Sequence, residues 1–206
     1  MSASNQGYAE EAPALLKRYE EIAFEEAHGG VLDRIPRGPL RVLEIGAGSG
    51  RDAAWFAARG DVVLAVEPTR EMREGGRQLH PSPAIEWLDD GLPALAKVRA
   101  RGERFDLIWI SAMWMHLDAD ERGAGMATLA ALLAAPGAVM MSLRHGPVPE
   151  GRRMFAVTGE ETIALAARHR LSCTLSETRD SPRAPGVAWT ALWFVRSENR
   201  GGQDEG

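Results

Sequence analysis

The chain alternates short apolar runs with amphipathic segments, and this alternation predicts strands separated by helices. The first apolar run, residues 40–45, leads into the glycine-rich segment 46–50, and an alanine-rich helix is predicted over 52–59. The next run, residues 62–66, ends at Glu67. Apolar runs without polar alternation are typical of strands that are buried on both faces of a parallel sheet. These segments therefore predict a β-α-β unit.

The same alternation continues along the rest of the chain. The further predicted elements are a helix over 69–79, strands at 84–88 and 105–110, a helix from Asp118, a strand at 138–143, a helix over 158–169, and closing strands at 171–177 and 187–195. An amphipathic helix over 9–28 precedes them all. The pattern predicts an α/β fold: a doubly wound, Rossmann-like, seven-stranded, mostly parallel sheet with helices on both faces and an N-terminal capping helix.

No internal repeat or second domain boundary is visible in this pattern. We expect one domain over residues 1–197, made of an N-terminal helical cap (1–38) and a Rossmann-like core (39–197). The polar residues 198–206 are expected to form a mobile tail.

Composition narrows the class of protein. The 206 residues are 45% hydrophobic and 26% charged, which is typical of a globular domain with a sizeable core. The net charge is −5, and the basic clusters at 99–104 and 152–153 are interpreted as solvated loops, so nucleic acid is not an expected partner. The single cysteine, Cys173, and the lack of metal-ligand spacing predict a reducing compartment and no metal site.

Membrane insertion and export are not expected either. The longest apolar run, residues 126–143, is interrupted by Pro136 and Gly137, so we interpret it as a helix, a turn and a strand. The N-terminal residues lack the basic and then apolar pattern of a secretion signal. A cytoplasmic location is therefore predicted.

Three chemical features fall at the carboxyl ends of consecutive predicted strands: the glycine segment 46–50, Glu67, and the acidic pair Asp89-Asp90. In a doubly wound sheet these ends share one crevice, where ligands bind. Glycines let the backbone approach a ligand closely, and an acid that ends the second strand can accept both hydroxyls of a ribose. These features predict a cofactor that contains a nucleoside.

The spacing argues against two common nucleotide sites. A dinucleotide fingerprint places glycine at its sixth position, where this chain has Arg51. A triphosphate loop requires a lysine followed by a hydroxyl residue, and the segment has no lysine.

At this point the motifs resemble those of the class I S-adenosylmethionine-dependent methyltransferases. The likeness is carried by segments 42–50, 65–68, 88–90 and 105–108, spans roughly residues 40–145, and extends through the closing strand pair. The resemblance implies S-adenosyl-L-methionine as cofactor and S-adenosyl-L-homocysteine as product. It implies the following cofactor-binding residues: Glu44, Gly46, Ala47, Gly48, Gly50, Asp52, Glu67, Pro68, Met72, Asp89, Asp90, Ser111 and Ala112.

The resemblance also implies a role for each position. The glycines would pass beneath the methionine portion, Glu67 would hold the ribose hydroxyls, and Ser111 and Ala112 would lie near the sulfonium. Asp89 would accept from the adenine amino group and Asp90 would offer its backbone amide, although two adjacent acids leave that choice open. Pro68 and Met72 would flank the purine.

The sequence leaves two possible roles open for each of two acids, Glu44 and Asp52. Glu44 is either a surface charge or an inward acid that steadies the glycine loop. Asp52, at the start of a helix, is either a helix cap or a cofactor ligand.

Candidate acceptor residues follow the fourth and fifth strands. His145 next to Arg144 suggests a general base beside a carboxylate-binding cation, with a loop histidine and a solvated arginine as the alternative. His116 is a second catalytic candidate, for which a structural hydrogen bond is the favoured interpretation. Trp114 and Met115 either wall the acceptor pocket or belong to the core.

The N-terminal helix offers Tyr8 and Tyr19 to the acceptor, although Tyr19 lies on the apolar stripe of that helix. The predicted function is methyl transfer to an oxygen or nitrogen of a small metabolite by a monomer or homodimer. The alternatives are a nicotinamide-nucleotide oxidoreductase and a non-catalytic S-adenosylmethionine-binding protein.

Overall fold

The computed structural model describes residues 7–196, which form a single seven-stranded sheet covered by helices. The strands are β1 (Arg41–Ile45), β2 (Val62–Val66), β3 (Ile85–Leu88), β4 (Phe105–Ser111), β5 (Leu133–His145), β6 (Leu171–Asp180) and β7 (Ala188–Arg196). The helices are α1 (Tyr8–Glu20), α2 (Phe24–His28), α3 (Arg51–Ala58), α4 (Arg70–Leu79), α5 (Ala96–Ala100), α6 (Ala119–Leu132) and α7 (Gly159–Ala167).

The strand order is β3-β2-β1-β4-β5-β7-β6, with β1 to β5 parallel and β7 antiparallel to both of its neighbours. This arrangement confirms the predicted doubly wound sheet and its closing strand pair. The chain order reverses direction between β1 and β4, and the carboxyl ends of those strands therefore border the crevice in which such sheets bind ligands.

The sheet is buried on both faces, which explains the unbroken apolar runs. Successive residues of β1 alternate between two hydrophobic clusters: Val42 packs with Phe56 of α3, whereas Leu43 packs with Met126 and Leu129 of α6. Adjacent strand residues point to opposite faces, so a strand covered on both sides needs apolar residues at every position.

Three elements differ from the sequence-based predictions. The single helix expected over 9–28 is two helices, α1 and α2, separated by residues 21–23. The short helix α5 was not predicted. Strand β5 begins directly after α6 and runs through Pro136 and Gly137.

The turn expected at Pro136 is accommodated as an irregularity within β5. Leu133 pairs with Phe105, and the next pair joins Ala138 to Leu107, so the chain gains extra residues opposite a single residue of β4. Proline lacks a backbone N–H and is tolerated in a sheet at such irregularities.

Among the described residues, no helix is both long and apolar enough to cross a lipid bilayer. The tail expected over 198–206 lies outside the described residues.

Candidate functional site

A cavity of about 1020 Å³ opens at the carboxyl ends of the parallel strands. Its walls come from the segments that follow β1, β2 and β4, from the end of β5, and from α1 and the loop before α7. Most of the expected site residues line it, namely Tyr8, Tyr19, Glu44, Gly46, Ala47, Gly48, Asp52, Glu67, Pro68, Ser111, Ala112, Met115, His116 and Arg144.

The glycine segment forms a tight turn between β1 and α3. The N–H groups of Gly46 and Ala47 both donate to the carbonyl of Val66, at 2.9 and 3.0 Å, and tie the turn to the end of β2. Gly48 has a φ of +57°, a left-handed conformation that favours glycine. At Gly46 and Gly48 the turn therefore presents backbone, without a side chain, to the cavity.

Glu67 joins this turn to the end of β2. Its Oε2 accepts from the N–H of Gly48 at 3.0 Å and its Oε1 accepts from the N–H of Thr69 at 2.8 Å. Burial raises the pKa of Glu67, and the two backbone donors oppose that rise. A carboxylate has about four acceptor positions, so each oxygen retains capacity for a ligand hydroxyl.

Glu44 is an inward acid, and the surface alternative is wrong. The residue is 3% exposed, and its Oε2 has no hydrogen-bond partner within residues 7–196. Burial raises the pKa of Glu44 well above its usual range, and the nearby charge of Asp52 adds to the rise. A buried carboxyl oxygen without a partner, on the wall of a cavity, is suited to a ligand group that donates hydrogen bonds.

Asp52 is neither a helix cap nor a free ligand. Its Oδ2 accepts from His28 Nε2 at 2.7 Å and from Trp109 Nε1 at 2.9 Å, while its Oδ1 accepts from Arg51 Nε at 2.7 Å. Burial raises the pKa of this carboxyl, but the charges of His28 and Arg51 and the hydrogen bonds outweigh burial and hold it well below its usual range. Asp52 therefore attaches the N-terminal cap to the sheet through His28, a contact that the sequence analysis missed.

The acidic pair after β3 does not line the cavity. Asp90 accepts hydrogen bonds from the N–H groups of Gly91, Lys97 and Val98, so its carboxylate is used to begin α5. The side chain of Asp89 is 56% exposed and lies 3.5 Å from both Arg73 and Lys97. The backbone position next to the pair, Gly91, does line the cavity.

Four other expected site residues also lie outside the cavity wall. Met72 is buried against Ala12 and Leu15 of α1, and Trp114 is buried in the core, so both pack rather than bind. Gly50 meets the ring of Trp87 instead, where a Cβ would come within 2.7 Å. His145 donates to or accepts from Thr190 Oγ1 at 2.7 Å.

His116, in contrast, faces the cavity with its tautomer determined by two contacts. Its Nδ1 lies 2.7 Å from the carbonyl oxygen of Arg153, to which only an N–H can donate. Its Nε2 is then an acceptor, 3.1 Å from the hydroxyl of Tyr8. Burial lowers the pKa of His116, and nearby arginine charges lower it further, so the ring stays neutral below its usual range.

The basic pair Arg152-Arg153 was expected to lie in a solvated loop, and this prediction is wrong. Arg153 binds Asp118 and Glu121 at 3.0 and 2.8 Å, and the guanidinium of Arg152 lies over the ring of Tyr8 at 4.3 Å. Sequence reasoning classified these residues by their local neighbours, whereas their partners lie on distant segments.

Backbone strain marks the end of β4. Ala112 has a φ of +55°, which is uncommon for a residue other than glycine, and its N–H donates to Ser142 Oγ at 2.9 Å. Such strain persists where the surroundings impose it, often at a functional site.

Within the part of the chain that the structure covers, no group of three or more His, Cys, Asp or Glu residues could hold a metal ion.

Comparisons with known proteins agree with the geometry. Residues 42–137 match the model of a family described as methyltransferase domain. No curated protein is detectably similar in sequence. The fold, however, is shared with many solved structures.

Three of these structures illustrate the likeness. The N-methyltransferase NodS from Bradyrhizobium japonicum, in complex with S-adenosylhomocysteine, is 17% identical with a TM-score of 0.67 over 92% of this chain and 98% of that chain. The 1,6-didemethyltoxoflavin-N1-methyltransferase from Burkholderia thailandensis is 20% identical, with a TM-score of 0.61, and the match covers 92% of this chain and 91% of that chain. Magnesium protoporphyrin IX methyltransferase from Synechocystis is 16% identical, with a TM-score of 0.61, and the match covers 93% of this chain and 80% of that chain.

Proposed function

We propose that this chain, whose residues 42–137 match a methyltransferase domain, is a class I methyltransferase that transfers a methyl group from S-adenosylmethionine to a small molecule. One observation carries the proposal. The Glu67 carboxylate, at the end of β2, accepts from the backbone of Gly48, so the acid and the glycine turn form one continuous wall of a single cavity.

The residues present fit S-adenosylmethionine. Glu67 has acceptor positions for the ribose hydroxyls, the turn around Gly48 leaves room for the methionine portion, and the unpartnered oxygen of Glu44 suits its amino group. Of the two acids after β3, Asp90 is used by α5 and Asp89 does not line the cavity, so Gly91 is the position of this segment that lies on the cavity wall. When bound, the cofactor supplies an electrophilic methyl group on a positively charged sulfur.

The chain's own residues position the acceptor and exclude water from it. Helix α1 covers the cavity and places Tyr8 against His116. A hydroxyl or amine of the acceptor passes its proton to the Tyr8 oxygen while the Tyr8 proton moves to His116 Nε2, which leaves an imidazolium and a free electron pair on the nucleophile. His116, rather than His145, therefore takes the role of base.

The acceptor is a small molecule that offers an oxygen or nitrogen nucleophile. The cavity is enclosed by α1 and the loop before α7, and names of two fold relatives specify small-molecule substrates, a didemethyltoxoflavin and a magnesium porphyrin. We further propose that the protein acts in the cytoplasm, as a monomer or homodimer, with Cys173 as a free thiol.

Calorimetric titration with S-adenosylhomocysteine tests the proposal. We expect one molecule to bind per chain, and Glu67→Gln to weaken binding by about tenfold or more, because the amide nitrogen of glutamine opposes one of the two backbone donors. Glu86→Gln is the matched control, since Glu86 lies exposed on the adjacent strand and pairs with Arg101. No heat on titration of the wild-type protein would refute the proposed function.

A further inference from the structure

The loop between β5 and α7 carries a buried arginine whose guanidinium is only half used. The side chain of Arg152 is 7% exposed and lines the cavity. One terminal nitrogen, Nη2, donates to Glu11 Oε2 at 2.8 Å. The other, Nη1, is buried and has no hydrogen-bond partner in the described part of the chain.

This arrangement points to a ligand. A buried donor without a partner loses its hydration and gains nothing in return, so a ligand acceptor at that position recovers the lost hydrogen bond. The guanidinium carbon also lies over the ring of Tyr8, 4.3 Å from the ring centroid, and this contact helps to hold the planar fork in position. A planar, fixed guanidinium matches the two oxygens of a carboxylate.

The charges near Arg152 leave a local positive excess. Arg153 is compensated by two acids, Asp118 and Glu121. Arg144 also lines the cavity, donates to the carbonyl of Pro147 at 2.8 Å, and forms no ion pair with any residue from 7 to 196. The charges of all three arginines lower the pKa of His116, the proposed base.

Glu11 and Glu150 also line the cavity, and neither removes this excess. Glu11 is 54% exposed and contacts only one side of the Arg152 fork. Glu150 is exposed at the rim of the cavity and forms no ion pair within the described chain. The cavity wall also includes apolar side chains, among them Met113, Met115, Met154 and Trp189.

We propose that the methyl acceptor is a carboxylic acid with an apolar body, and that Arg152 binds its carboxylate through Nη1. This inference rests on the proposed function and adds the substrate class. The anion is held beside Arg152 and Arg144, the apolar body lies against the methionines and Trp189, and the nucleophile faces Tyr8 and His116.

A matched pair of probes tests the proposal: 4-hydroxybenzoate and its neutral amide, 4-hydroxybenzamide, titrated calorimetrically into the protein saturated with S-adenosylhomocysteine. We expect the acid to bind with a Kd below about 1 mM and the amide about tenfold more weakly or not at all. Arg152→Gln is expected to weaken binding of the acid by about tenfold and to leave the Kd for S-adenosylhomocysteine unchanged. Arg99→Gln, an exposed arginine on α5, is the matched control and is expected to change neither affinity.

A second variant acts in the opposite direction and does not alter Arg152. Glu11→Gln removes the carboxylate that competes for the guanidinium, so we expect it to strengthen binding of 4-hydroxybenzoate. If the ion pair is merely structural, Glu11→Gln should weaken binding instead, and that result would overturn the proposal even if Arg152→Gln failed to fold.

The remaining outcomes separate the two proposals. Equal affinity for acid and amide, no detectable binding of the acid, or an unaltered affinity in Arg152→Gln overturns the carboxylate site. If the wild-type protein does not bind S-adenosylhomocysteine, the proposed function itself fails.

Discussion

Two neighbouring acids on the cavity wall, Glu44 and Asp52, respond to burial in opposite ways. Asp52 keeps its charge because His28, Trp109 and Arg51 donate to it. Glu44 has one oxygen without a partner among the described residues, so burial favours its protonated form. The number of donors, rather than depth, decides which carboxyl is ionised.

This difference predicts how stability depends on pH. An acid whose pKa is raised in the folded state contributes stability that is present below its unfolded pKa, about 4.5, and lost as pH rises through the folded pKa. Glu44→Gln removes that loss, so the melting temperature of the variant relative to wild type should be higher at pH 8 than at pH 5. Thermal unfolding followed by circular dichroism at both values measures it.

Glu86→Gln is the control for this experiment, and its melting temperature relative to wild type should be nearly the same at pH 5 and at pH 8. Its hydrogen bond with Arg101 lowers the pKa of Glu86, so the wild-type residue stabilises the fold above its unfolded pKa. A Glu44→Gln difference that stays constant between pH 5 and pH 8 would contradict the assignment of a raised pKa.

The contact between Tyr8 and His116 predicts a second result at this scale. His116→Gln should lower kcat by about 100-fold and remove the acidic limb of the pH–rate profile, because general-base catalysis contributes at least that much. With the pKa of His116 lowered, that limb in the wild type should lie below pH 6.5. Methyl transfer to an acceptor from a small-molecule panel measures both quantities.

His145→Ala is the matched control, since His145 contacts Thr190 away from the cavity wall. Its kcat at saturating acceptor should equal that of the wild type. A loss of turnover in His145→Ala together with an active His116→Gln would reverse the assignment.

At the scale of elements, α1 is both a wall and a cover of the site. Its residues Ala12 and Leu15 pack on Met72 of α4, and the same side of the helix brings Tyr8 and Tyr19 to the cavity. Tyr19 packs beside this cluster and also lines the cavity, so contact with the acceptor stays a prediction for this residue. Because all of these residues lie on one face of α1, the packing of its apolar residues also fixes the positions of the two tyrosine hydroxyls.

Because the contact between α1 and α4 is small, a single truncation should loosen it. Leu15→Ala is expected to cost about 2 kcal/mol, at the low end for a buried leucine, and to speed amide exchange in residues 8–20 by about 30-fold. Hydrogen-exchange mass spectrometry measures this local opening. Lys17→Ala, on the exposed face, should leave exchange unaltered, and equal protection in both variants would show that other contacts hold α1.

At the scale of the whole molecule, the cavity joins segments that are far apart in the chain. Ligand binding to such a site is possible only in the folded state, so it should stabilise the whole domain. At 100 times its Kd, S-adenosylhomocysteine should contribute about 2.7 kcal/mol and raise Tm by about 5–10 °C.

The same measurement separates the alternative functions. A Tm increase with reduced nicotinamide nucleotide and none with S-adenosylhomocysteine would favour an oxidoreductase, against the evidence of Arg51 in the turn. A Tm increase with S-adenosylhomocysteine but no methyl transfer to any acceptor would favour a protein that binds the cofactor without catalysis.

The sequence alone determined the order of the elements, the doubly wound sheet, and the glycine turn that faces Glu67. Each depends on local patterning: apolar runs specify buried strands, and Gly48 permits a left-handed turn at the end of β1. Because the parallel strands end at one edge of the sheet, their terminal residues lie close together irrespective of the loop conformations.

Only the tertiary structure decided which of the candidate side chains reach the cavity. The carboxylate of Asp90 accepts from the first turn of α5. His116 lines the cavity, whereas His145 contacts Thr190 of β7. Arg152 donates to Glu11 of α1. The direction of a loop side chain depends on contacts with distant segments. Neighbouring residues in a sequence carry no information about those contacts.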